Sequence, residues 1–184
     1  LGFTLAMGRL SSSWSATRIS SFVVGLIRNT PLIVQISMFY FVLAPIMGVN
    51  RFWTGVLSLS LFEAAFQSEI IRAGILAVPV GQWEAGMAVG LSRPRILRHI
   101  VLPQAFRIML PPMTSAAISL VKNSSIVSVI ALFELTTAGR NAISETYMSF
   151  EIWLTVAALY LVLTLVLSGI ARQAERRMSR PYLA

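Results

Sequence analysis

Residues 152–171 read IWLTVAALYLVLTLVLSGIA and carry no charge. As an α-helix this stretch is about 30 Å long at ~1.5 Å per residue, which matches the hydrocarbon core of a bilayer. Its Leu, Val and Ala content leaves no polar face for water. The stretch is therefore expected to cross a membrane, and it sets the frame for the rest of the chain.

The composition agrees. The 184 residues are 56% hydrophobic and 12% charged, with mean hydropathy +0.76. A soluble domain carries about 25% charged residues, so this balance points to a membrane protein. There is no cysteine, which excludes disulfides and thiolate chemistry, and one histidine cannot build a multi-histidine metal site. The net charge of +8 raises the question of nucleic acid. The basic residues sit at the ends of apolar runs, as the positive-inside pattern places them, and no basic run is interleaved with stacking aromatics. No nucleic-acid partner is expected.

Three further spans follow by length and apolarity. Residues 29–50 are uncharged between Arg28 and Arg51. Residues 52–78 form a second candidate that carries Glu63, Glu69 and Arg72. Residues 104–133 form a third, interrupted by Pro111-Pro112 and Lys122. Leu1–Met7 is taken as the cut end of an earlier span, the alternative being a frayed terminus. The expected fold is all-α: one polytopic membrane helix bundle over 1–184, with four intact spans, the truncated end of a first span, and cytoplasmic coupling helices.

Lys/Arg bias sets the orientation. One side gathers Arg9, Arg18, Arg28, Arg72, Arg93, Arg95, Arg98, Arg107, Arg172, Arg176, Arg177 and Arg180, and is assigned to the cytoplasm. The other side holds Arg51 and Arg140 with Glu134, Glu145 and Glu151. The tail ARQAERRMSRP is expected to be a short helix extension with a basic, lipid-facing cluster.

Between the second and third spans lies a more polar element, residues 79–103. Pro79 suits the first turn of a helix. Val80, Trp83 and Met87 recur at three and four, giving one apolar face beside Glu84. Gly90 takes left-handed geometry cheaply and marks the helix end. Ser92 can cap a second helix with an apolar stripe of Ile96, Leu97, Ile100 and Val101, and His99 sits beside that stripe as an interface or headgroup contact. Pro103 disfavours helix at Leu102 and is expected to close it. Periodicity alone leaves two readings open: an interfacial helix pair on lipid headgroups, or a docking surface for a cytoplasmic partner.

The spacing resembles the coupling signature of permease subunits of ATP-binding-cassette importers: EAA, three residues, G, nine residues, I, one residue, LP. Glu84-Ala85-Gly86, Gly90, Ile100 and Leu102-Pro103 stand at those positions. Gly86 replaces the second alanine, a change expected to loosen that turn. Other segments are similar to the polar amino-acid uptake branch. RNTPLIVQISMFYF (28–41) resembles its R-x-T-P-L-x-V-Q run. EAAFQSEIIRAGILAVPVGQWEA (63–85) resembles A-A-Y-x-x-E-I-x-R-x-G-I with Phe66 for Tyr. LVKNSSIVSVI (120–130) resembles K-x-[S/T]-S-L-x-S-x-I with Ile126 for Leu.

That resemblance implies an inner-membrane permease of bacteria that passes polar amino acids, or derivatives such as opines. It implies partners as well: a cytoplasmic ATP-binding subunit, a second permease chain as homodimer or heterodimer, an extracytoplasmic solute-binding protein, and membrane lipid. ATPase docking then falls to Glu84, Ala85, Gly86, Gly90, Arg93, Ile100, Leu102 and Pro103. The chain has no G-x-x-x-x-G-K-[S/T] loop, so no cofactor is expected on it, ATP is expected on the partner, and the chain is not an enzyme. The rival readings are an ion-gradient-driven secondary transporter, whose inverted repeats are not found, and a non-transport membrane scaffold.

Ionisable groups inside spans are costly and point to function. Glu63 falls near mid-membrane, with Gln67 one turn on. Glu69 stands three residues before Arg72, so pairing and a pathway role are both open. Lys122, Ser124 and Ser125 lie inside the third span. They serve either as interhelical hydrogen-bond glue or as a partly unwound pathway lining. Lys122 can meet a substrate carboxylate, or can pair with Glu63.

Overall fold

The computed structural model describes residues 1–178. Its helices are α1 (Gly2–Arg9), α2 (Trp14–Arg28), α3 (Leu32–Met38), α4 (Ala44–Met47), α5 (Arg51–Leu76), α6 (Val80–Ala88), α7 (Arg93–Ile96), α8 (Leu102–Asn123), α9 (Leu135–Thr146) and α10 (Ser149–Met178). No strand occurs among the described residues. Arg180, counted above with the basic side, lies outside them.

Wide π turns join some of these helices. One spans Phe39–Leu43 between α3 and α4, and one spans Leu97–Val101 between α7 and α8. Each ends two residues before a proline, Pro45 or Pro103. A proline has no N–H to donate, and its ring collides with the carbonyl four residues back. A turn closed by a bond five residues back, such as Leu102 N–H to the Leu97 carbonyl, makes room for the ring. This corrects the expectation at Pro103. The second short helix does not stop there, and Arg93–Ile130 is one helical run of 38 residues. Pro111-Pro112 likewise sit inside α8 without breaking it.

Arg93–Ile130 and Ser149–Arg176 are each long and apolar enough to cross a membrane, and α2 with Leu32–Met47 passes as a pair bent by 102°. The span expected over 29–50 is thus shorter, because Asn29–Pro31 make the corner. The 26-residue α5 is long enough, but its serines, Gln67 and glutamates lower its hydropathy. The basic tail extends the last helix as expected, with α10 running on to Met178.

The corner between α2 and α3 is built by Gln35. Its amide nitrogen lies 2.7 Å from the Ile27 carbonyl and 2.8 Å from Thr30 Oγ1. Thr30 Oγ1 donates in turn to the Leu26 carbonyl at 2.9 Å, and Asn29 Nδ2 to the Gly25 carbonyl at 2.8 Å. Carbonyls that α2 leaves open at its end therefore find donors. Pro31, extended at φ −62° and ψ 139°, starts α3 in the new direction.

The helix α5 is the hub, packed by α1, α2, α3 and α8. It buries Thr54, Gly55, Ser58, Ala64, Ala65 and Ser68, small side chains that let helices approach closely. Ser58 Oγ donates to Thr54 O at 2.7 Å and Ser68 Oγ to Ala65 O at 2.8 Å, so these hydroxyls bring no unpaired donor into the interface. A Cβ on Gly74 would fall 2.1 Å from Met109 Cγ, which marks a close approach of α5 and α8. At the opposite end Glu134 caps α9, accepting from Thr136 N and Thr137 N at 2.7 Å each. It also accepts from Tyr160 Oη of α10 at 3.1 Å.

Gln35→Leu removes the donors at the corner: the partly buried Thr30 carbonyl loses the Gln35 amide, and the Ile27 carbonyl keeps Thr30 Oγ1 at 3.3 Å. The expected cost is about 1–3 kcal/mol, read as a lower unfolding midpoint of the purified protein in detergent. Gln35→Glu, which also lacks the donors, should lose at least as much.

Candidate functional site

The expected docking element is a joint with two faces. Glu84, Ala85, Gly90, Arg93 and Pro103 are exposed, Ile100 and Leu102 are half-buried, and Gly86 is buried. A Cβ on Gly86 would lie 2.8 Å from Ile96 Cγ1 and 3.2 Å from Ile100 Cδ1. The glycine therefore does not loosen α6, as expected from the sequence. It lets α6 settle directly on the fully buried Ile96.

The end of α6 matches the expectation for Gly90. That residue has φ +77°. Leu91 N–H reaches the Gly86 carbonyl at 3.1 Å, and Gly90 N–H reaches the Met87 carbonyl at 2.9 Å. This bond pair is the Schellman closure, and it turns Leu91 inward. Leu91, Trp83, Leu97 and Ile100 pack on a core made by Ala6, Ile71, Ile75, Val78, Ile96, Val101, Ala105 and Met109. Gln104 Nε2 also reaches Gln82 Oε1 at 3.2 Å. The apolar side of the element is thus keyed into α1, α5 and α8, while Glu84, Arg93, Arg95 and Arg98 face out. A force applied to the charged face passes to three helices through packed side chains. Trp83 and Gln82 were not singled out for this joint from the sequence, although Trp83 lay on the apolar face read there.

The polar residues expected to line a pathway separate into groups. Gln67 Nε2 donates to Glu63 Oε1 at 2.9 Å, while Gln67 Oε1 is buried without a partner. Glu69 is bound structurally, and more fully than the Arg72 spacing suggested. It pairs with Arg72 at 2.6 Å, with Arg28 at 3.4 Å, and with Arg9. The Arg28 guanidinium also lies 5.4 Å from the Phe66 ring centre. Residues of two separate motifs, 28–41 and 63–85, meet here. Each looked self-contained in sequence, and Arg9 was read only as one charge of the basic side.

Lys122 is exposed and makes no ion pair among the described residues, so the Lys122–Glu63 pair is not formed. Ser124 Oγ donates to Val121 O and Ser125 Oγ to Lys122 O, both at 2.7 Å. These bonds stay within the helix rather than glue two helices. The backbone there is not unwound but tightened: Ser124–Ile130 is a 3-10 helix ending at Ala131, φ 51°. Arg51 Nη1 donates to the Ala131 carbonyl at 3.0 Å and holds that end against the start of α5. No group of metal-ligating side chains occurs among the described residues.

Residues 1–180 match the family described as binding-protein-dependent transport system inner membrane component. The chain is 36% identical over 181 residues to the glutamine transport system permease protein GlnP of Escherichia coli K12, covering 97% of this chain and 83% of that protein. It is 35% identical over 196 residues to the octopine transport system permease protein OccM of Rhizobium radiobacter, covering 98% and 80%. The fold superposes on the crystal structure of an amino acid ABC transporter with histidines at TM-score 0.89. The identity there is 35%, covering 96% of this chain and 83% of that one.

Gly90→Ala places a Cβ in left-handed geometry and should destabilise the joint by about 1–2 kcal/mol. Gly81→Ala, in α6 with nothing within 4 Å of its Cβ, should stabilise it by about 0.5–1 kcal/mol. Limited proteolysis of α6 in detergent reads the opposite signs.

Proposed function

The chain belongs to the binding-protein-dependent transport system inner membrane components, the permease subunits of ATP-driven importers, and we propose that its cargo is a polar amino acid or an amino-acid derivative such as an opine. It is a multi-pass inner-membrane transport component and not an enzyme; ATP is used by a separate subunit. Membership of this family does not favour an ion-gradient mechanism or a passive scaffold.

The observation that carries the cargo reading is the state of two charges. Glu63 is hydrogen-bonded only by the neutral Gln67, and Lys122 has no ion-pair partner among the described residues. A carboxylate and an ammonium left unmatched within the proposed spans suit the two ends of a zwitterion. Ser124 and Ser125 add hydroxyls beside Lys122. Glu69 is assigned to structure, since its oxygens are taken by arginines. The relatives named for glutamine and octopine transport support the same class of solute.

The proposed crossings lie within 29–50, 52–78, 104–133 and 152–171, the first shortened to Leu32–Met47 by the corner before it, with the element at 79–103 facing the cytoplasm. Only 6% of the apolar window of α10 is buried within the chain. Such open faces suit lipid and a second permease chain, identical or related, with the solute path between the two. A solute-binding protein delivers cargo from outside.

The docking role divides along the two faces of the joint. Glu84, Ala85, Gly90, Arg93 and Pro103 offer the surface that meets the ATPase. Gly86, Ile100 and Leu102 transmit its movement by holding α6 to the spans.

Transport is tested with the permease reconstituted with its ATPase and binding protein. Glu84→Lys should abolish co-purification of the ATPase while the permease still inserts. Lys122→Met and Glu63→Gln should keep the ATPase bound and lower uptake about tenfold or more, since a hydrogen bond to a charged group contributes about 1.5–3 kcal/mol. Wild-type uptake in both at equal expression removes the cargo site. A complex that transports only without ATP removes the importer reading.

A further inference from the structure

We propose that α1, α2 and α5 together form a binding site for the phosphate of an acidic phospholipid, in the leaflet at the basic end of the molecule. The first ground is charge. Arg9, Arg28 and Arg72 converge on Glu69, their one ion-pair partner among the described residues. Three cations against one carboxylate leave a surplus of two. The cluster is open to the outside: the Arg28 side chain is 40% exposed and that of Glu69 25%.

The second ground is the helix that carries Arg28. The bent pair formed by α2 and Leu32–Met47 turns through 102°. When the second arm crosses the bilayer, α2 lies along its surface. Ile19, Phe22 and Leu26 of α2 are exposed at spacings of three and four, which is one apolar stripe. The opposite face packs on α1, where Thr17 Oγ1 reaches the Gly8 carbonyl at 3.4 Å. A helix with one face on protein and the opposite apolar stripe open suits the headgroup boundary.

The third ground is depth. From Arg51 at one end of α5 to Glu69 is about 27 Å at ~1.5 Å per residue, close to the ~30 Å of a hydrocarbon core. The arginine cluster therefore stands at headgroup level. A phosphodiester there meets guanidinium donors while its acyl chains cover Ile19, Phe22 and Leu26. A free cytosolic anion would satisfy the charge and leave the apolar stripe bare, which is why the occupant is a lipid.

The test uses the whole permease–ATPase complex in nanodiscs of equal phosphatidylglycerol and phosphatidylcholine, with the lipid that stays bound after extraction counted by mass spectrometry. This readout contains no transport step, so it stands or falls separately from the cargo and importer assignments above. Phosphatidylglycerol should be enriched. Arg28→Gln should lower the enrichment roughly fivefold, the scale of one basic charge at a membrane surface. Glu69→Gln should raise it by a similar factor. Arg18→Gln, in the N-terminal half of α2 beside Trp14, should leave it within about twofold. If Arg28→Gln does not assemble, Arg28→Gln with Glu69→Gln restores the surplus of two and should fall roughly fivefold below Glu69→Gln alone. Equal loss in Arg18→Gln, a fall in Glu69→Gln, no change on removing Arg28, or displacement of the lipid by millimolar inorganic phosphate each overturns the proposal.

Discussion

Glu69 is one carboxylate that holds three guanidiniums from three helices: Arg9 of α1, Arg28 of α2 and Arg72 of its own α5. Charges at the edge of an apolar phase persist when each has a partner, and removing the shared partner is far more costly than losing any one pair. The groups are partly exposed, so solvent screening keeps each bond well below the value of a fully buried pair. Their geometric effect does not depend on that strength. Arg28 is the last residue of α2, and its position sets where the corner begins, where Gln35 must reach, and from which level α3 starts.

From that node the helices close on α5 by small-residue contact rather than by large interlocking side chains. Gly74 makes the approach plain: a Cβ there would clash with Met109 of α8. A bilayer supplies little hydrophobic drive between helices, so close van der Waals fit carries the association. The exception is the basic end, where α6 and the turns around it meet water. There a compact apolar core forms around Ile75, Ile96 and Val101, and ordinary hydrophobic burial holds it. The larger of the two apolar cores among the described residues thus lies under the surface proposed to meet the ATPase, which suits an element that must move as one body.

The two π turns give the spans their other mechanical feature. Prolines near the ends of helices would free carbonyls in a medium with no water to satisfy them. Widening the turn before Pro45 and Pro103 keeps the bond ladder continuous. At Pro103 the result is that the surface element and the spanning helix α8 are one rod from Arg93 onward, and motion at Ile96 reaches Ser124 without a hinge of loose chain.

Much of this was legible in residue order. Long apolar runs separated by arginines determine an all-helical membrane protein, because a span needs only length and apolarity. The spacing from Glu84 through Gly90 to Leu102-Pro103 carries the resemblance to a coupling signature, and Gly90 determines its left-handed turn, because both are local. Tertiary structure decided what depends on distant partners. Sequence could not say that Glu69 serves Arg9 and Arg28 as well as Arg72, since those residues are far apart along the chain and the spacing rule sees only one helix. It could not say that Gly86 is a contact rather than a weakness, because that requires knowing that Ile96 lies above it. Nor could it say that Pro103 is passed rather than obeyed. A proline ends a helix by default, and only the wider turn before it, held by packing on α5 and α6, lets the helix continue.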